Sequence, residues 1–304
     1  MILAVGEILY DLFPGYKRLG GAPFNFAFHL KSLGFPVCFV SRVGADPEGD
    51  AILNQLQKMG FDINHIQIDE ENRTGEVLVT IDENREPNFK ITPDVAYDYI
   101  KYENVRDIMQ SKKVELIYFG SLVQRSKYGF TTLKKILLSK KTATKCLYDV
   151  NLRAKCYDKA SIDASIKQTD VLKVNETELE TIKQLLGASG QSDKSFIELL
   201  MEQHHIEIVA VTRGSKGSDL FTPGDHHAVQ APRSEKIINS VGAGDAYSAI
   251  LAAGYLRGWR PEKILSTATA FALRICEIDG AIPSSASFYD DWRFVCDKAI
   301  DEQQ

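Results

Sequence analysis

Val171-Leu172-Lys173-Val174-Asn175-Glu176-Thr177-Glu178 passes from an apolar run into a helix start with no loop between them. The apolar run reads as a strand buried on both faces, and Asn175 reads as the N-cap of a helix whose capping-box partner is Glu178. Working outward, strand-like runs at 36–40, 114–119, 144–149 and 206–212 alternate with helical periodicity at 48–59, 127–138, 176–186 and 194–203. Such alternation predicts a parallel sheet covered by helices on both faces. Met1-Ile2-Leu3-Ala4-Val5-Gly6-Glu7 reads as a further buried strand. Segments 63–68, 74–81 and 86–92 break the rhythm, with turn residues at Glu70-Glu71-Asn72 and Asp82-Glu83-Asn84, and read as an antiparallel excursion. Gly187 to Asp193 reads as a turn between helices, and 243–256 and 261–277 as two helices, the first built largely from small residues. With no low-complexity linker and no fixed-period repeat, residues 1–304 are expected to form a single domain.

At 304 residues and 44% hydrophobic composition the chain can bury a full core. A formal net charge of −5, without a long basic block, points away from nucleic acid and toward small-molecule partners. No apolar run approaches the roughly 18 residues that span a bilayer, so no membrane partner is expected. The five cysteines, Cys38, Cys146, Cys156, Cys276 and Cys296, are scattered without a CxxC pair. That pattern predicts reduced thiols, no disulfides and a cytoplasmic location. The histidine pairs His204-His205 and His226-His227 lack metal-site spacing.

The chemistry concentrates in Asn239-Ser240-Val241-Gly242-Ala243-Gly244-Asp245-Ala246-Tyr247-Ser248. Gly242, Ala243 and Gly244 let the main chain approach a ligand at the start of a helix, where N–H groups lack partners and the dipole is positive. The turn suits a phosphate and puts the Asp245 carboxylate beside it; a purely structural strand-to-helix junction is the alternative. Position 247 is Tyr rather than the third glycine of a dinucleotide fingerprint, and no GxxxxGK[ST] occurs.

Gly20-Gly21-Ala22-Pro23-Phe24-Asn25 opens another helix, with Pro23 suited to its first position and Asn25 in its first turn, as a polyol ligand, a helix cap or an exposed amide. Asp11 follows the first strand, where acidic residues meet ligand crevices in α/β sheets or simply face solvent. Thr212-Arg213-Gly214-Ser215-Lys216-Gly217 follows another strand and reads as a nucleotide-lining loop or a hairpin turn.

Together these stretches resemble the ribokinase-like, or PfkB, family of sugar kinases. Gly20 to Asn25, Gly44-Ala45-Asp46-Pro47-Glu48-Gly49, Asp149-Val150-Asn151-Leu152-Arg153, Asn175 to Glu178, Thr212 to Gly217 and Asn239 to Asp245 occur in the family's order, and the likeness runs from about residue 2 to Pro283. The resemblance implies a doubly wound α/β domain with a small β-sheet lid formed mainly by about 63–92 plus part of 8–20. It implies ATP and Mg²⁺, with Asp245 as the base that deprotonates a sugar hydroxyl and the N–H groups of Gly242, Ala243 and Gly244 holding the transferred phosphoryl. Asp11, Gly21 and Asn25 match sugar-gripping positions. Arg153 is expected at a substrate hydroxyl or a structural carboxylate. Asn175 and Glu178 match the element that organises phosphate and Mg²⁺, Glu178 through water, and Thr212, Gly214 and Gly217 match the loop bordering the nucleotide. Gly280-Ala281 matches a turn near the purine and the monovalent-cation loop.

The chain departs from the pattern at Asn239, where many relatives carry an Asp that helps bind a monovalent cation, and at Ile250, where a glycine is common. The first departure puts potassium activation in question. Gly20 to Pro23 with Asn25, and Tyr148 to Arg153, look most like fructokinases. Ribose, 2-keto-3-deoxygluconate or a nucleoside as acceptor, and a silent sugar- or nucleotide-binding relative, are the alternatives. Lids of this kind often form dimer contacts, so a homodimer through the lid is also expected.

Overall fold

A computed structural model describes residues 1–81, 87–111 and 113–297. In chain order the strands are β1 (Ile2–Val5), β2 (Leu9–Phe13), β3 (Tyr16–Gly20), β4 (Val37–Gly44), β5 (Ile66–Asp69), β6 (Gly75–Ile81), β7 (Pro87–Ile91), β8 (Leu116–Gly120), β9 (Lys145–Asp149), β10 (Val171–Asn175), β11 (Ile208–Thr212), β12 (Ser218–Thr222) and β13 (Asp225–Val229). The helices are α1 (Ala22–Ser32), α2 (Pro47–Lys58), α3 (Tyr102–Ser111), α4 (Lys127–Leu138), α5 (Lys159–Ile166), α6 (Glu176–Leu186), α7 (Asp193–His204), α8 (Ala243–Arg257), α9 (Pro261–Cys276) and α10 (Asp290–Asp297).

Nine strands form the main sheet in the order β13-β12-β11-β10-β9-β8-β1-β4-β5, parallel from β11 to β5, with β12 and β13 added antiparallel at one edge. Successive side chains of a strand point to opposite faces, so β1 feeds two cores. Ile2 and Ala4 pack with α1, α2, α8 and α9, while Leu3 and Val5 pack with α3 to α7. The expected doubly wound α/β architecture is therefore present. The small residues of α8 allow α9 to come close: a Cβ at Gly254 would stand 2.7 Å from Ile264 Cγ1.

A second sheet has the order β3-β2-β6-β7, with β2 and β6 parallel between two hairpins. Segment 63–68, expected within this excursion, instead leads into β5, which pairs with β4 in the main sheet. The apolar–polar alternation of Ile66-Gln67-Ile68-Asp69 fits an edge strand of the large sheet as well as a strand of the small one. The turn expected at Asp82-Glu83-Asn84 lies outside the described residues. Arg18 Nη2 to Asp279 Oδ2 at 2.5 Å and Lys17 Nζ to Glu48 Oε1 at 3.2 Å tie β3 to the helical layer.

Asp46, from the Gly44 to Gly49 motif, caps α2 through Gly49 N–H at 2.7 Å and accepts from Thr74 N–H at 2.7 Å, anchoring the segment that enters β6. The role of that motif is architectural. No helix among the described residues is long and apolar enough to cross a membrane, and no disulfide forms among them.

Candidate active site

Parallel strands end their carboxyl termini on one edge, and the sheet's direction of travel reverses beside β1, leaving a crevice there. A cavity of about 1030 Å³ opens along this edge. Asp11, Gly21, Asn25, Arg153, Asn175, Glu178, Thr212, Gly214, Gly217 and the Gly242 to Asp245 turn all line it. At about 4.8 Å per strand, the end of β11 lies roughly 19 Å across the sheet from the end of β1, long enough for an extended ligand.

Gly242 is the N-cap of α8 with φ 76, and no side chain caps that helix. A Cβ at Gly242 would stand 2.4 Å from Ala281 Cβ, so only glycine permits this entry. The first-turn N–H groups therefore remain available to an anion, except that Ala243 N–H makes a long bond to Ser240 O at 3.3 Å. Gly280 and Ala281 do not line the cavity; Ala281 instead packs under Gly242.

Asp245 lies in this first turn, 9% exposed, and accepts from Asn25 Nδ2 at 2.7 Å. Asn25 is therefore neither a cap nor an exposed amide. Burial raises the Asp245 carboxyl to about 7, and the charge of Asp149 adds to the rise. A buried carboxyl near neutrality beside unclaimed N–H groups can take a proton from a hydroxyl while the helix start holds an anion.

Asn25 reaches this position because α1 starts at Ala22, with Pro23 second in the helix rather than first. Gly21 has φ 115, and a Cβ there would stand 2.4 Å from Glu7 O. Asp11 sits on β2 of the small sheet rather than in a loop after β1, and burial raises its carboxyl to about 6 against the pull of Arg153 and Arg18. Arg153 follows β9 through Asn151, a non-glycine residue at φ 38. Strain of this kind is commonly kept at functional sites. Arg153 has no ion-pair partner among the described residues.

Asn175 caps α6 with both capping-box bonds formed. Glu178 Oε2 accepts Asn175 N–H at 2.8 Å and Oε1 accepts Leu152 N–H at 3.1 Å. Thr212 to Gly217 turns β11 into the antiparallel β12, so it is both a hairpin connection and a cavity wall. Glu176 and Asp219 hold Arg213 of this loop.

Lys173 and Glu7 also line the cavity, though neither was singled out from the sequence. Lys173 and Asp149 are cross-strand partners on the face toward α8, with Nζ 3.0 Å from Asp149 Oδ1. Ser248 Oγ at 2.7 Å and Tyr118 OH at 3.2 Å donate to the other Asp149 oxygen. Lys173 Nζ lies 3.0 Å from where a Gly244 Cβ would be, under the glycine turn. A lysine inside an apolar strand was the signal for it. For Glu7, the signal was a carboxylate closing the apolar first strand. Burial raises Glu7 to about 7, with Arg153 lowering it and Asp245 raising it.

Comparison with known proteins adds the following. The family model described as pfkB family carbohydrate kinase matches residues 15–287. A putative sugar kinase of Pyrococcus horikoshii is 28% identical over 281 residues, 84% of this chain and 83% of that protein. Its crystal structure in complex with ATP superposes with a TM-score of 0.80, covering 92% of this chain and 94% of that one at 26% identity. A fructokinase of Salmonella typhimurium is 26% identical across 94% of this chain and 93% of its own length. A 5-dehydro-2-deoxygluconokinase of Clostridium beijerinckii is also 26% identical, across 80% of this chain and 74% of its own.

Proposed function

The chain belongs to the pfkB family of carbohydrate kinases, and from that premise we propose that it transfers the γ-phosphoryl group of ATP to a hydroxyl of fructose. The observation that carries this reading is the meeting of Asp245, hydrogen-bonded to Asn25, with the uncapped first turn of α8 in one cavity. Asp245 accepts the proton of the sugar hydroxyl as its oxygen bonds to the γ-phosphorus. The bond from that phosphorus to the bridging oxygen breaks, and ADP leaves. The N–H groups of Gly242, Ala243 and Gly244 hold the charge on the transferred group, which matters because phosphoryl transfer depends chiefly on positioning and electrostatics. Asp11, Gly21, Asn25 and Arg153 hold the sugar, and Thr212, Gly214 and Gly217 border the nucleotide.

Among the described residues no group of three or more His, Cys, Asp or Glu side chains could hold a metal ion unaided. That fits Mg²⁺, which commonly binds through one or two carboxylates, waters and substrate phosphates. The Glu178 oxygens, each engaged by one backbone N–H, retain lone pairs for such waters, with Asn175 fixing the carboxylate. Bound there, the ion would neutralise charge on the phosphates. Asn239 Nδ2 donates to Ile278 O at 3.4 Å, and this neutral amide stands where a carboxylate would attract a cation, so potassium should not activate the protein. The small sheet serves as a lid through Leu9, Asp11, Val77 and Ile91, its outer face as a dimer contact, and reduced cysteines suit a cytoplasmic enzyme.

Two observations favour a second acceptor class, a keto acid such as 5-dehydro-2-deoxygluconate: the equal identity to a kinase of that name, and Arg153 on the cavity wall with no ion-pair partner among the described residues. ADP release measured with ATP and Mg²⁺ over a panel of sugars, keto acids and nucleosides tests the proposal. Fructose should give the highest kcat/KM, and turnover confined to nucleosides, or binding without turnover, would overturn it.

A further inference from the structure

Glu7 has no part in the reaction just described, yet it stands where the chain leaves β1 for the small sheet. It is 4% exposed, and backbone N–H groups of Glu7 and Ala22 hold its carboxyl. Its Oε2 is buried with no hydrogen-bond partner among the described residues. On the same cavity, Asn25 Oδ1 is likewise a buried acceptor without a partner. An unpaired buried polar atom costs about 1–3 kcal/mol, so two such acceptors on one wall call for a ligand that brings hydrogen-bond donors. The charge balance points the same way. Glu7, Asp11 and Asp245 carry carboxyls into the cavity, and of the basic side chains that line it, Arg153, Lys173 and Arg233, Arg153 is the one whose charge acts on all three.

We infer that Glu7 is a specificity-determining residue: its inward oxygen and Asn25 Oδ1 accept hydroxyl protons from a neutral polyhydroxylated acceptor, and its carboxyl disfavours acceptors that carry a carboxylate. This inference rests on the sugar-kinase reading and decides between its two acceptor classes. With Glu7 held near neutrality by burial, an anionic acceptor meets a like charge or forces the carboxyl to take up a proton. A neutral polyol does neither, and that asymmetry is how a site rejects a competitor.

The test compares the native chain with Glu7→Gln and Glu7→Leu, using D-fructose as the neutral probe and 2-keto-3-deoxygluconate as the acidic one. Glu7→Gln keeps the shape and an acceptor for the Ala22 N–H, so it should fold; thermal unfolding confirms this. The native chain should favour fructose, and Glu7→Gln should shift the ratio of kcat/KM values toward the acid by about tenfold or more while the KM for ATP stays within about twofold. Glu7→Leu should raise the fructose KM further. A ratio unchanged in Glu7→Gln, or a loss confined to the stability of Glu7→Leu, overturns the role given to Glu7 and leaves the kinase reading intact. A native chain that phosphorylates neither probe overturns both.

Discussion

At Asp245 one side chain combines burial, a hydrogen bond from Asn25 and a helix start. Asp245→Asn keeps that shape and removes the base, so kcat should fall by about 10²–10⁴-fold in a steady-state assay. In the native protein kcat/KM should decline as pH drops through about 7, where the carboxyl takes up its proton. The same shift fixes a stability effect of definite sign. Because the folded-state value is raised from 3.8, the stability this group contributes is complete below about pH 4 and is lost as pH rises through about 7. The Asn variant escapes that loss, so its melting temperature should exceed the native one at pH 8, at about 1.4 kcal/mol for each tenfold change in proton affinity removed. A variant less stable at pH 8 than the native chain would count against an ionisable, buried Asp245. Lys173 behaves differently. Lys173→Met strands the fully buried Asp149 and should cost about 3–5 kcal/mol in denaturant unfolding, with Lys173→Met plus Asp149→Asn recovering part of the loss.

At the scale of elements, the strand-to-helix junctions carry the site, and they were also the easiest features to read. Asn175 and Glu178 form the capping box that their spacing implied, since both bonds are local and need no distant partner. Helices α3 and α10 and the β12–β13 hairpin carry no comparable local signal in the sequence. α3 and α10 are short and strongly polar, and β13 is Asp225-His226-His227-Ala228-Val229, held by its pairing with β12 rather than by any apolar alternation. The junction before α8 allows a sharp comparison. Gly242→Ala drives a Cβ into Ala281 at 2.4 Å from a left-handed backbone, whereas Gly244→Ala meets only the flexible end of Lys173 at 3.0 Å. Gly242→Ala should therefore lower kcat by about tenfold or more through misplacement of the turn, with a smaller stability loss in Gly244→Ala on thermal unfolding.

Over the whole molecule, the two sheets meet at the cavity, and the small sheet closes it on one side with Val77 and Ile91. Val77→Ser should wet that wall and raise ATP hydrolysis without acceptor relative to sugar phosphorylation, measured as the ratio of ADP to sugar phosphate; an unchanged ratio would argue against a lid. Its outer side exposes Leu78 by 45%, so light scattering should find twice the chain's mass, and Leu78→Lys should halve it. What the sequence by itself determined were the properties written in nearest neighbours: the strand and helix alternation, the capped starts of helices, and the glycines at Gly21 and Gly242, where the backbone turns left and approaches another segment closely. Only the tertiary structure decided that 66–69 joins the main sheet, that Asp11 belongs to a strand of the small one, that Lys173 and Glu7 share a cavity with Asp245, and that Asp149 lies buried against Lys173 beneath it. These depend on which strands lie side by side and in what register. Burial and the charges brought together there, rather than any local pattern, bring the Asp245 carboxyl to about 7.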